Sequence, residues 1–451
     1  MNARDTASAK GRGDGPSTGC AQTADAAPRW PAAFRALIGH RRTLMLQGPM
    51  SGFFSDLGTL LRERGHEVTK VHFNGGDAFF WRHRGALRFN GAHGVFREWL
   101  RALMRERGID ALVLFGQMRP LHTIAREVAA ELGVEVFVFE EGYLRPHYVT
   151  VERRGVNALS RLPRLASFYR EATPLPTAPH AQPTGQHFWG MAARAAAYGL
   201  AALLLWPWYW RNRHHRSLNP MTETWRWMRG GVRRMTRGWV ERGELERLCS
   251  AEHSKRWFLV PLQVHNDSQV RDHSNFETID AFVETVVASF AAHAPADALL
   301  AVKHHPMDRA YTHYAPLLRK LARRYGLQGR LRYLHDQHLP TLLAHARGVV
   351  TINSTVGLQA LYHQVPVITL GDSVYAIPGL VFGGKLESFW REPGEVDAPL
   401  YARFRAHLTA STQLNASFYA QRPALREPVL GEAPARAALP QLFAPMPADP
   451  S

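Results

Sequence analysis

The chain has 451 residues, 45% of them apolar and 21% charged, a globular composition that excludes a wholly disordered or fibrous protein. Lys and Arg number 55 against 38 Asp and Glu, a formal charge of +17, which favours partners that are themselves anionic. Two cysteines, Cys20 and Cys249, give no support to a disulfide framework or a cysteine-based metal site.

The opening residues are rich in Ala, Gly, Asp, Ser and Thr and lack an apolar segment, so they do not read as a signal peptide. Residues 1–40 are expected to be a disordered leader. From Arg41 a regular alternation begins: apolar runs at 43–47, 68–73, 110–115 and 134–139 read as strands, with helical patterns near 53–63, 94–107 and 122–132 between them. Strands alternating with helices imply βαβ units and a parallel sheet, so residues 41–170 are expected to form a Rossmann-like domain.

Residues 171–255 interrupt that rhythm. A Pro- and Thr-rich stretch precedes Phe188–Trp210, where Trp189, Trp206, Trp208 and Trp210 flank an Ala- and Leu-rich run. Arg211, Arg213 and Arg216 follow, and five more Arg lie between 226 and 237. The apolar run is short for a membrane-spanning helix, but Trp beside Arg suits the headgroup zone of an anionic membrane. The alternative is a helical hairpin packed on its own protein with solvated Arg.

Alternation resumes at Trp257. Strands are expected at 257–262, 299–303, 331–334, 348–352 and 365–370, with helices at about 275–291, 315–325, 340–346, 353–362 and 399–408, the last extended over 412–419. Residues 256–420 therefore form a second Rossmann-like domain, and 421–451 a Pro- and Ala-rich tail. The expected class is α/β and GT-B-like: two doubly wound domains facing a cleft.

The chemistry lies in the loops that follow the strands, where open α/β sheets bind ligands. After 257–262 come Gln263, His265, Asn266, Asp267 and Arg271; one of the polar residues here serves equally well as a helix cap. Lys303-His304-His305-Pro306 ends the next strand, and Pro306 fixes the backbone so that the groups ahead of it can face a cleft. Adjacent His304 and His305 would face opposite ways on a strand, which disfavours a shared metal. Asn353-Ser354-Thr355 joins a strand to a helix start, an arrangement suited to a phosphate, or simply to a cap. Glu140 and Glu141 supply carboxylates from the first domain, unless one of them pairs with Arg119 or Arg145. The sequence has no Walker phosphate loop, no dinucleotide glycine fingerprint after the first strand and no Asp-x-Asp pair.

Leu46-Gln-Gly-Pro49, Phe73-Asn-Gly-Gly-Asp77, Phe139-Glu-Glu-Gly-Tyr143, Arg145-Pro146, Pro261 to Gln269, Lys303 to Asp308, Asn353 to Gly357 and Gly371-Asp372 together resemble the capsule polysaccharide biosynthesis/export family, over residues 43–420. The resemblance implies a GT-B β-Kdo transferase that moves Kdo from CMP-Kdo to a phosphatidylglycerol-type lipid, on the inner face of the cytoplasmic membrane. It implies retention through Asp267 in a Gln263-containing loop, with Glu140 and Glu141 as further catalytic carboxylates. Donor contacts fall to Gln263, His265, Asn266, Arg271, Lys303, His304, His305, Asn353, Ser354 and Thr355. Gly48, Asn74 and Arg145 are expected on the acceptor side, and Trp206, Arg211 and Arg213 at the membrane. No metal or other cofactor is expected, and no nucleic acid; other capsule assembly proteins are candidate partners. The competing readings are a different GT-B sugar or polyol-phosphate transferase and a non-catalytic assembly or export factor.

Overall fold

The computed structural model describes residues 30–175, 181–185, 188–211, 220–265, 274 and 276–426. Twelve strands build two sheets. They are β1 (Arg42–Met45), β2 (Glu67–His72), β3 (Leu87–Arg88), β4 (Ala111–Phe115), β5 (Glu135–Glu141), β6 (Tyr148–Arg153), β7 (Trp257–Pro261), β8 (Leu299–Lys303), β9 (Leu331–Leu334), β10 (Gly348–Thr351), β11 (Val367–Thr369) and β12 (Gln413–Asn415).

The first sheet runs β12-β6-β5-β4-β1-β2-β3. Strands β1 to β5 are parallel to their neighbours, whereas β6 is antiparallel to β5 and β12 antiparallel to β6. The second runs β11-β10-β7-β8-β9 and is parallel throughout. Both parallel sets have the doubly wound order, with the switch between β1 and β4 in one and between β7 and β10 in the other. This is the two-domain GT-B-like arrangement.

Near-continuous apolar strands make sense because both faces of each sheet are covered. Along β7, Phe258 and Val260 enter one core while Trp257 and Leu259 enter the other. Along β4 and β5, Val113, Phe137 and Phe139 face one way and Leu112, Leu114, Val136 and Val138 the other. Helices stop where expected: Phe53–Glu63 gives way to Gly65 at φ +79°, a backbone conformation that glycine adopts without strain.

Three expectations need correction. The leader ends earlier than residue 40, because Ala32–Ile38 is a helix whose Phe34 and Leu37, with Trp30 before it, are buried in the first domain. The helix Ala398–Thr412 is not continued to 419; the chain becomes β12 and returns to the first sheet. Leu414, Ala416, Phe418, Ala424 and Leu425 then bury themselves in the first domain's core, and Phe418 packs edge-on against Phe53 at 4.8 Å. Third, residues 413–426 therefore belong with the first domain, not with the second domain and the tail expected over 256–420 and 421–451, because their apolar side chains cover a face of the first sheet.

The interrupting segment is helical over Phe188–Leu204, Pro220–Val240 and Glu244–Cys249. Among the described residues no helix is long and apolar enough to cross a membrane. The domains meet through the stretch after β5: Tyr143, Leu162 and Tyr169 share a core with second-domain residues. Arg170 reaches Asp397 at 2.8 Å and Arg164 lies 3.9 Å from Asp372.

Candidate functional site

The carboxyl ends of β7, β8 and β10 bring three of the sequence-chosen loops together. Buried Gln263 donates through Nε2 to Asn353 Oδ1 at 2.9 Å, and Asn353 N–H returns to Gln263 Oε1 at 3.4 Å. This reciprocal amide pair ties the β7 loop to the β10 loop across the switch point, the place where an open α/β sheet leaves a crevice. Beside it, Ser354 Oγ accepts from Val356 N–H at 3.2 Å, and Tyr375 donates its hydroxyl to the Ser354 carbonyl. Thr355 is half-buried and immediately precedes the helix Val356–Tyr362. A side chain at Gly357 would strike the Tyr375 hydroxyl 2.2 Å away, so glycine there lets Tyr375 hold the turn.

The three positions of Lys303-His304-His305 have separate fates. Lys303 is buried and its ammonium donates to the His335 carbonyl at 2.9 Å; burial pulls its pKa down, opposed by Asp336 and Glu241. It is therefore committed to the interior rather than presented as a free cation. His304 is also buried, with Nδ1 2.8 Å from the Tyr333 hydroxyl and Nε2 enclosed without a partner. Burial, with His335 adding to it, drives its pKa down to about 3, so it is neutral.

His305 turns the other way. It caps the single turn Pro306–Asp308, its Nδ1 accepting from Met307 N–H at 3.2 Å. That bond places the ring proton on Nε2, which becomes a neutral donor. Burial, with Arg145 of the first domain adding to it, lowers the His305 pKa to about 4. Arg145 and His305 therefore act on each other electrostatically across the two domains.

His265 is engaged by a residue that sequence reasoning left out of the site. Its Nδ1 lies 2.5 Å from Asp308 Oδ1, and its backbone N–H donates to Asp308 Oδ2 at 3.3 Å. Asp308 stood inside the Lys303–Asp308 motif, but only the fold shows that its carboxylate turns back toward β7. Asn266, Asp267 and Arg271 lie outside the described residues. Among the described residues no group of three His, Cys, Asp or Glu side chains is placed to hold a metal ion.

On the first-domain side, Glu140 and Glu141 end β5 and are half-buried. Glu140 Oε1 accepts from Glu141 N–H at 3.2 Å, and the Arg119 guanidinium acts on Glu140 electrostatically. Burial raises the Glu141 pKa, with Arg145 partly opposing it. Arg145 is exposed, precedes a cis peptide bond to Pro146, and donates through Nε to the Gly142 carbonyl at 3.3 Å.

Gly48 and Asn74 have structural work instead of an open loop. Asn74 caps the helix Gly75–Phe79 by accepting from Asp77 N–H at 2.9 Å. A side chain at Gly48 would meet the Phe54 ring at 2.9 Å. The two glycines after Asn74 admit the helix Phe188–Leu204: a side chain on Gly76 would enter the Tyr198 ring, and one on Gly75 would meet the Ala201 carbonyl at 2.4 Å. Tyr198 then accepts from Gln47 Nε2 at 2.9 Å. Behind it, Lys70 and Asp77 form a fully enclosed ion pair at 2.9 Å. The motif's Gly-Gly-Asp pattern is explained by packing.

Trp206 and Arg211 lie at the far end of that helix. Trp206, Trp208 and Trp210 are each more than half exposed, as are Leu200, Leu203 and Leu204. Arg211 stacks over Trp210 at 4.6 Å and its N–H donates to Asn90. Arg213 lies outside the described residues.

Residues 110–419 match the family described as capsule polysaccharide biosynthesis protein. The chain belongs to that family. It is 40% identical over 392 residues to the capsule polysaccharide export protein KpsS of Escherichia coli, covering 86% of this chain and 99% of KpsS. It is 39% identical over 384 residues to the capsule polysaccharide modification protein LipB of Neisseria meningitidis serogroup A, covering 84% and 91%. Among solved structures it is similar to KpsC of Thermosulfurimonas dismutans, a beta Kdo 2,7 transferase, at 14% identity and a TM-score of 0.38 over 80% of this chain and 89% of KpsC. The family match takes in β4 to β12, and with them the Glu140–Arg145 loop and the strand ends of the second sheet.

Proposed function

We propose that this member of the capsule family is a retaining glycosyltransferase that moves β-Kdo from CMP-Kdo to a phosphatidylglycerol-type lipid, starting a capsule linker. The observation that carries the reading is the crevice itself. The Gln263–Asn353 pair joins two strand ends beside His305, a neutral N–H donor facing Arg145 of the other domain. A nucleotide phosphate fits donors of this kind, and Arg145 suits the sugar carboxylate.

In this reading Asp267, two residues past His265, attacks the anomeric carbon and the CMP phosphate leaves without an acid. A second displacement by the lipid hydroxyl restores Asp267 and the starting configuration. Arg271 is an additional cation for the donor, and Asn266, Ser354 and Thr355 complete its polar surroundings. Glu140 and Glu141 face this chemistry from the first domain. The exposed Trp206 and the Arg211–Arg216 cluster hold the protein against the cytoplasmic face of an anionic membrane.

The test is direct. Purified protein given CMP-Kdo and a lysophosphatidylglycerol analogue should release CMP and form a Kdo-lipid. Asp267→Ala should lower that rate by at least about a thousandfold, as removal of a nucleophile does. Turnover with a UDP-sugar and none with CMP-Kdo would overturn the donor assignment. Replacing Arg211, Arg213 and Arg216 by Glu should weaken binding to anionic vesicles while the protein stays folded.

A further inference from the structure

The Asp308 carboxylate is 1% exposed, yet among the described residues it holds a side chain, that of His265, which reaches the surface. His265 donates to it from Nδ1 at 2.5 Å and from the backbone at 3.3 Å, and Thr312 Oγ1 donates at 2.5 Å. The His265 side chain is 36% exposed, and its ring stacks on Tyr311 with centroids 5.6 Å apart. A buried carboxylate on Nδ1 fixes the proton there, so the lone pair sits on Nε2, at the end of the ring away from Asp308. The same carboxylate stabilises the imidazolium that forms when Nε2 takes up a proton.

We propose that His265 is the general base for the acceptor hydroxyl, with Asp308 as the residue that positions it. The inference rests on the transferase reading above and assigns the proton transfer that reading leaves open. In the second displacement, the acceptor O–H bond breaks and its proton passes to His265 Nε2. The hydroxyl oxygen forms the new bond to the anomeric carbon as that carbon's bond to the enzyme carboxylate breaks. The carboxylate is regenerated, and the imidazolium returns its proton to water. The first displacement needs no base, because its nucleophile is a carboxylate, and no acid, because the phosphate leaves as an anion.

A purely structural anchor and a base make different demands. Asn at position 265 can still donate an amide N–H to Asp308 and hold the loop, but it has no Nε2. His265→Asn is therefore expected to stay folded and, at saturating CMP-Kdo, still to form the adduct, as read by intact-protein mass spectrometry. Its breakdown of that adduct by the lipid acceptor should slow about a hundredfold or more, the usual size of a general-base contribution, and added imidazole should restore part of the rate. The wild type is expected to show a downfield Nδ1 proton resonance, and Asp308→Asn should lose it and slow the same half-reaction. If His265→Asn breaks down its adduct at the wild-type rate, or slows adduct formation as much as breakdown, the base assignment is overturned alone. A folded wild type that forms neither adduct nor CMP from CMP-Kdo overturns the donor reading and the proposal with it.

Discussion

The two domains share a strand order, yet they use the loops after their strands in opposite ways. In the first, the residues beyond β1 and β2 are spent on packing. Asn74 caps, Gly75 and Gly76 make room for Phe188–Leu204, Gln47 bonds Tyr198, and Lys70 and Asp77 neutralise each other out of reach of water. In the second, the residues beyond β7, β8 and β10 hold one another at the rim and keep donor or acceptor capacity outward, as His265 and His305 do. A polar motif after a parallel strand therefore marks either a ligand site or the seat of a covering helix. What separates them is whether another element fills the crevice.

The sharpest way to break this contrast is to remove one member of the enclosed pair. Burial pulls the Lys70 pKa down, with Asp77 opposing, while Asp77 stays well below the carboxylate range because Lys70 and His72 outweigh its burial. Lys70→Met strands a buried carboxylate and should cost about 3–5 kcal/mol in urea unfolding. The folded fraction should still turn over donor at the wild-type rate. Loss of turnover without loss of stability would place Lys70 in the site and erase the distinction between the domains.

A second enclosed group of the first domain gives a pH signature. Burial pushes the Glu152 carboxyl up to about 7, partly opposed by hydrogen bonds from Ser160 and from the Tyr143 hydroxyl at 2.6 Å. The folded chain therefore binds a proton there that the unfolded chain has released, between the ordinary value of 4.5 and about 7. The stability this contributes is full below 4.5 and is lost as pH rises through 7, on the order of 2–3 kcal/mol in total. Glu152→Gln should flatten that part of the dependence when melting temperatures at pH 5 and pH 8 are compared. A slope unchanged by the substitution would show that Glu152 is ionised throughout.

The second domain should respond in binding rather than in stability. His305 is neutral above about pH 5, because its pKa is near 4. Its contribution is a neutral hydrogen bond to an anion, about 1.4–2.7 kcal/mol. His305→Ala should raise KM for CMP-Kdo roughly ten- to a hundredfold and leave the melting temperature within a degree or two. A donor KM that falls sharply between pH 8 and pH 6 in the wild type would mean that an imidazolium binds the phosphate instead.

Much of this was readable from residues alone. The parallel strands announced themselves as short apolar runs such as Trp257-Phe-Leu-Val260, and the crevice loops as the polar residues that end them. The return of residues 413–426 to the first sheet was not legible, because three residues of β12 carry too little alternation to outweigh the helix before them. Nor was Asp308's partner: a carboxylate and an imidazole 43 residues apart meet only once β7 and β8 are paired. The packing of the motif at 73–77 was not legible either: that its two glycines admit a helix shows only with Tyr198 and Ala201 in place on the other side.

The helix Pro220–Val240 carries the same contrast on one element and gives the smallest effect. Arg233 donates to the carbonyls of Arg309 and Thr312 at 2.8 and 2.9 Å, and Arg237 lies 3.3 Å from His313 Nε2. Glu241, just past the helix, receives the His335 ring at 2.5 Å. This side grips the segment that follows Asp308. Val232, Met235 and Trp239, three and four residues apart, lie on a different side and are 61%, 78% and 74% exposed. If that stripe enters the headgroup zone, Trp239→Ser should weaken binding to phosphatidylglycerol vesicles roughly tenfold, the effect of about 50 Å² less apolar burial. Turnover of a short, water-soluble acceptor should stay the same, because the basic side still holds residues 309–313. Equal loss on the soluble acceptor would show instead that Trp239 supports the grip on the donor domain, and the two sides of the helix would have one role between them.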